Sequence, residues 1–176
     1  MIRKALAVGM TALLLSACVL EAKPPLFSES DGVPVLGGKA IAYDGYELKD
    51  GTWTKSNGND PPLEFAPAGN HYIVAERGKS ADSAVALFVP LKDGWLALQL
   101  NEADKPAIYS LAKLEGQSLL VAPLMCSDLK SLDVAKDSIA FDGSDCTAKD
   151  AKDARSFLQS LASAVPPPKM KLVPVP

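Results

Sequence analysis

Two-residue turn signals recur through the middle of the chain. Asp44-Gly45, Asp50-Gly51, Asn57-Gly58, Asp93-Gly94 and Glu115-Gly116 each interrupt a short apolar run. Asp-Gly and Asn-Gly suit tight hairpins because both central residues can take positive φ. A chain punctuated this often has little room for long helices and folds as short antiparallel strands. The runs between the turns predict strands at Lys39–Tyr43, Gly51–Lys55, His71–Arg77, Ser83–Leu91, Trp95–Leu100, Ala107–Leu114 and Ser118–Leu124. In Trp95–Leu100, Leu96, Leu98 and Leu100 share one face, opposite Trp95 and Gln99. Ser83–Leu91 is apolar on both faces, with Val85, Leu87 and Val89 on one and Phe88 on the other, so it belongs at the centre of a sheet. Pro90 marks its end, and Asn57–Pro62 reads as a polar loop.

After Leu124 the period changes. Ser127 suits the cap of a short helix over Asp128–Ala135, and Ser138–Asp142 fits one more strand. Thr147 and Asp150 make a helix-start signal. Ala151, Ala154, Leu158, Leu161, Ala162 and Val165 follow at helical spacing, with Phe157 beside them. Pro166-Pro167-Pro168 stops that helix, and residues 166–176 read as a polyproline tail. The expected fold is α+β: a curled antiparallel meander of about seven short strands, closed by the C-terminal helix and one disulfide. A small β-barrel or sandwich is the alternative.

The N-terminus is of another kind. Arg3 and Lys4 precede an uncharged run, Ala5–Leu15, and small residues lead to Cys18. A basic start, an apolar core and a small-residue exit make a secretory signal. The run falls short of the ~20 residues a spanning helix needs. Leu15-Ser16-Ala17-Cys18 resembles the lipobox of bacterial lipoproteins. The resemblance implies cleavage before Cys18, a diacylglyceryl thioether on its sulfur and an acyl group on its new amine. A single acyl chain binds membranes only marginally, whereas two or more hold stably. Val19, where that family's inner-membrane members carry Asp, implies the outer membrane, facing the periplasm. The expected organisation is then signal peptide 1–17, lipidated Cys18 with a flexible tether to residue 37, one globular domain over 38–165, and the Pro-rich tail.

Removing residues 1–17 leaves 159 residues with 16 cations against 21 acids, a net charge of −5. An acidic chain without a basic stripe argues against nucleic acid as a partner. Cys126 and Cys146 are the cysteines left in the mature body. In an oxidising compartment an even pair predicts a structural disulfide; there is no Cys-x-x-Cys, and the sole histidine, His71, is remote.

Chemistry is hard to find. Gly37-Gly38-Lys39 lacks the first glycine and the hydroxyl of a phosphate loop. His71 has no nucleophile to serve and no Gly-x-Ser-x-Gly elbow beside it. One histidine excludes a His-rich zinc site, and Asn57-Gly58-Asn59-Asp60 lacks calcium-loop spacing. Asp128, Asp133, Asp142 and Asp145 sit at expected caps and turns, where carboxylates are ordinary. Trp53, Tyr72, Trp95 and Tyr109 lie at strand positions, suited either to packing or to lining a peptide or sugar surface. No catalytic, cofactor or metal residue is therefore nominated. The expectation is a non-enzymatic lipoprotein, held to the membrane through Cys18, that acts as a binding or envelope-organising module, with an envelope protein as a candidate partner. A periplasmic inhibitor or small-ligand carrier is the alternative, and a hydrolase a remoter one.

Overall fold

The computed structural model describes residues 18–56, 58, 60–79, 83–133, 137–149, 154–164 and 167–176. Leu15, Ser16 and Ala17 before Cys18, the helix-start residue Asp150, and Ala151 and Val165 of the expected helix face lie outside them. Twelve strands appear among the described residues: β1 (Leu20–Ala22), β2 (Ile41–Lys49), β3 (Thr52–Lys55), β4 (Leu63–Ala68), β5 (His71–Glu76), β6 (Ala84–Pro90), β7 (Trp95–Asn101), β8 (Ala107–Glu115), β9 (Ser118–Pro123), β10 (Ile139–Asp142), β11 (Asp145–Ala148) and β12 (Met170–Val175). Two α-helices, α1 (Cys126–Leu129) and α2 (Ala154–Ala162), and a 3-10 turn at Glu29–Asp31 join them among the described residues.

The expected α+β meander is not what forms. Strands β8-β7-β6-β5-β4-β2-β12-β9 pair in that order, and β9 pairs back onto β8, closing an eight-stranded antiparallel barrel with four strands outside it. Three segments account for the difference. β4 carries Pro67 and follows Pro61-Pro62, which reads as loop; yet β2 pairs with β4 only over Leu63–Phe65, leaving the edge at Pro67 free of the need for an amide. Asp44-Gly45 is no turn but the middle of the nine-residue β2, and a Cβ at Gly45 would sit 2.9 Å from the Ser56 hydroxyl. The C-terminal segment is not a tail: β12 lies between β2 and β9 and closes the barrel, with Pro174 beyond the stretch that pairs with β9. Asp50-Gly51 and Asp93-Gly94 do turn hairpins, all four residues at positive φ.

The barrel interior is one core. Tyr43, Phe65, Tyr72 and Phe88 form an edge-on and tilted ring cluster, with centroids 5.5–6.4 Å apart. Leu96, Leu98, Leu119 and Leu172 pack around it. Eight strands leave an interior just wide enough for side chains or one small ligand, and here side chains occupy it. A second core lies outside the wall of β6, β7 and β8: Leu87, Val89, Ala97 and Leu111 meet Leu158 and Leu161 of α2. The two-faced β6 and the buried face of α2 follow the sequence pattern. α1 is shorter than Asp128–Ala135 and starts at Cys126. Thr147 is in β11, not at a helix cap. An apolar lumen with lysines on the outer wall reverses the arrangement of a transmembrane barrel. Among the described residues no helix is long and apolar enough to cross a membrane.

Candidate functional site

The segment expected as a tether is folded against the barrel, and it is the best-built feature of the molecule. β1 pairs antiparallel with β8 through Glu21–Ile108 and Ala22–Ala107, and parallel with β11 through Leu20–Cys146 and Glu21–Thr147. Leu20 and Ala22 are buried. Farther along, Gln99 reads the backbone of Phe27 twice. Its Oε1 accepts from the Phe27 amide at 3.0 Å, and its Nε2 donates to the Phe27 carbonyl at 3.1 Å. The Tyr109 hydroxyl donates to the same Gln99 Oε1 at 2.7 Å and accepts from the Leu26 amide at 2.7 Å. Gln99 is fully buried on the outer wall, and such a group is tolerated in a core only when its hydrogen bonds are met.

A second tyrosine repeats the device at the end of the barrel. The Val33 amide donates to the Phe88 carbonyl where β5 has stopped pairing with β6. The Tyr72 hydroxyl accepts from the Leu36 amide at 2.9 Å and donates to the Gly37 carbonyl at 3.1 Å, seating Leu36 in the interior core. Gly32 is required on the way, because a Cβ there would lie 2.2 Å from Leu87 Cδ1 and 2.4 Å from the Asn70 carbonyl oxygen. Arg155 of α2 stands 3.6 Å from Asp31. Hydrogen bonds from Ser28 hold the Asp31 carboxyl below its ordinary pKa, helped by Arg155.

Burial pushes the Tyr109 phenol up to about 12. The neutral phenol is the form that can donate to Gln99, so the folded state resists ionisation. Stability from this source is whole below pH 10, where the unfolded phenol titrates, and falls as pH rises towards 12, by at most about 1.4 kcal/mol per pH unit. Urea titrations at pH 9, 10 and 11 should show that decline, and Tyr109→Phe should make it shallower, leaving the part that comes from Tyr43 and Tyr72, whose phenols burial also raises. Equal alkaline slopes in the two proteins would contradict the assignment.

Cys18 heads this segment. Cys18 is half-buried, its carbonyl accepts from the Cys126 amide at 2.8 Å, and Val19 bridges Met125. Cys126 and Cys146 are joined in the disulfide, as expected. The two therefore flank β1, one on each side.

The other residues singled out by sequence do not converge. His71 Nδ1 lies 3.7 Å from Glu29 Oε2 at the start of β5, an inter-segment contact without a nucleophile. Asp142 and Asp145 face each other across the β10–β11 hairpin, both exposed, while Asp128 is in α1 and Asp133 beyond it. Tyr72 and Tyr109 are the two clamps, buried in different cores. Trp53 and Trp95 are half-buried on the outer surface. Lys39, after the two glycines, is exposed. Among the described residues no three His, Cys, Asp or Glu gather as metal ligands. The role of Gln99 was missed: a lone Gln on the outward face of a strand reads as solvent-exposed.

Comparison with protein-family profiles, with curated proteins and with solved structures finds no match.

Proposed function

We propose that the chain is a bacterial lipoprotein, cleaved before Cys18 and lipidated there, held in the outer membrane facing the periplasm. Its barrel acts as a non-catalytic binding or envelope-organising module. The position of Cys18 carries this reading. The lipobox cysteine stands two residues before β1, so the lipid attaches directly to the folded body with no slack between them. The barrel would ride close to the bilayer, oriented by β1. Binding falls to the outer surface, because aromatic side chains fill the lumen and the strap ending at Leu36 enters one end of it.

Mass spectrometry of the mature protein from a bacterial host tests the anchor. The expected N-terminal residue is Cys18 carrying diacylglyceryl and acyl masses. An unmodified Cys18, or cleavage elsewhere, would overturn it. The carrier reading has one favourable feature, the closed eight-stranded barrel, whose lumen is of ligand-binding class. It requires the aromatic cluster to give way. An apolar fluorescent probe that bound in one-to-one ratio and displaced Leu36 would support it.

A further inference from the structure

The sheet registers assemble a surface that sequence order conceals. Trp95 of β7 pairs with Lys113 of β8, Lys113 with Leu120 of β9, Leu120 with Lys171 of β12, Lys171 with Tyr46 of β2, and Tyr46 with Lys55 of β3. Directly paired residues point to the same side of a sheet, and these oppose the inward Leu96, Leu119 and Leu172. The outcome is one outward row in which apolar or aromatic groups alternate with lysines, none of them buried. Lys113 Nζ lies 5.8 Å from the centre of the Trp95 ring. Lys171 meets Glu115 at 2.6 Å and Lys55 meets Asp44 at 2.9 Å. In each pair one partner is exposed, Glu115 and Lys55, and the other is half-buried; such partly exposed pairs contribute modestly, and their open side is free to meet another anion.

We infer that this Trp95–Lys113–Leu120–Lys171–Tyr46–Lys55 row is a binding track for an acidic polysaccharide with a charge on about every second sugar. Neighbouring strands are about 4.8 Å apart, so lysines on alternate strands recur at about 10 Å. Charges on every second ring of an extended glycan meet that repeat. The rings between them fall over Trp95, Leu120 and Tyr46, whose flat or apolar faces suit the C–H faces of sugars. The track also crosses five consecutive strands of an eight-stranded barrel, half its circumference. A bilayer is planar and touches a convex wall over a narrow strip, whereas a polymer follows it round. Curvature therefore favours a chain over a membrane surface. The inference deepens the binding-module reading and names its partner class, but does not depend on the lipid.

The test uses the mature chain in detergent and a hyaluronan oligosaccharide, which carries one carboxylate per disaccharide. A neutral chitin oligosaccharide of equal length is the control. The acidic oligomer should bind, weaken with salt, and lose about tenfold in affinity in Lys113→Gln/Lys171→Gln, which keeps the lysine stems' bulk. Tyr46→Leu should also weaken it, with both variants melting like the parent. Failure of the acidic oligomer to bind would overturn the proposal, and would leave the lipid attachment untouched. Equal binding of the neutral oligomer would overturn it too. So would tighter binding to anionic-lipid vesicles or to a single-stranded oligonucleotide.

Discussion

A chain ended at Pro168 is expected not to fold cooperatively. β12 supplies the pairing that closes the barrel, six residues against β2 and three against β9. Without it β2 and β9 become open edges, and the interior around Tyr43 and Phe65 meets water. Burial of Leu172 alone is worth roughly 2–3 kcal/mol. Adding the ladder and the exposed neighbours brings the loss above about 5 kcal/mol, comparable with the whole stability of an ordinary domain. Urea titration followed by Trp53 and Trp95 fluorescence should show a broad, early transition in place of one sharp step. A peptide of residues 169–176 added in trans should restore the sharp step by strand addition. A truncated chain that melts within a few degrees of the full one would show that the barrel does not need this strand.

The same strand shows how far the amino-acid pattern reaches. Strands bounded by Asp-Gly turns, such as β6 and β7, are legible because alternation and turn chemistry agree. The inward stripe of α2 is legible for the same reason. β12 is not: in Met-Lys-Leu-Val-Pro-Val the proline and the preceding Pro-Pro-Pro argue for an extended tail. Only the long-range registers to Glu47 and Val121 reveal that Pro174 stands where no amide is wanted. Barrel closure is a pairing of β9 with β8 and β12 at once, which no local pattern carries. β1 fails likewise, being three residues whose partners lie over 80 positions away. The lysine row is the extreme case. Lys55, Lys113 and Lys171 are about 58 residues apart, so the chain looks free of a basic stripe, yet register gathers them.

Replacing both Cys126 and Cys146 by Ala should cost about 3 kcal/mol in the chain-entropy model, for a loop of 20 residues. Its distribution through the molecule is more telling than its size. Cys146 pairs with Leu20 on one side of β1, while the Cys126 amide holds the Cys18 carbonyl and Leu124 receives the Leu20 amide on the other. The disulfide thus joins the two segments between which β1 is threaded. Cutting it leaves the interior barrel core intact but lets β11 and α1 part, so hydrogen exchange should quicken first at the Leu20 and Cys126 amides. The Leu98 amide, deep in the barrel ladder, should exchange only with global unfolding. Both cysteines are buried, so alanine, which leaves no polar atom behind, is the fitting replacement. Protection lost evenly across barrel and β1 would mean that the bridge stabilises the domain as a whole. Selective loss would mean that it fixes β1 against the body, and a reduced protein would then carry a loosened N-terminal segment, still pinned at Phe27 by Gln99 and at Leu36 by Tyr72.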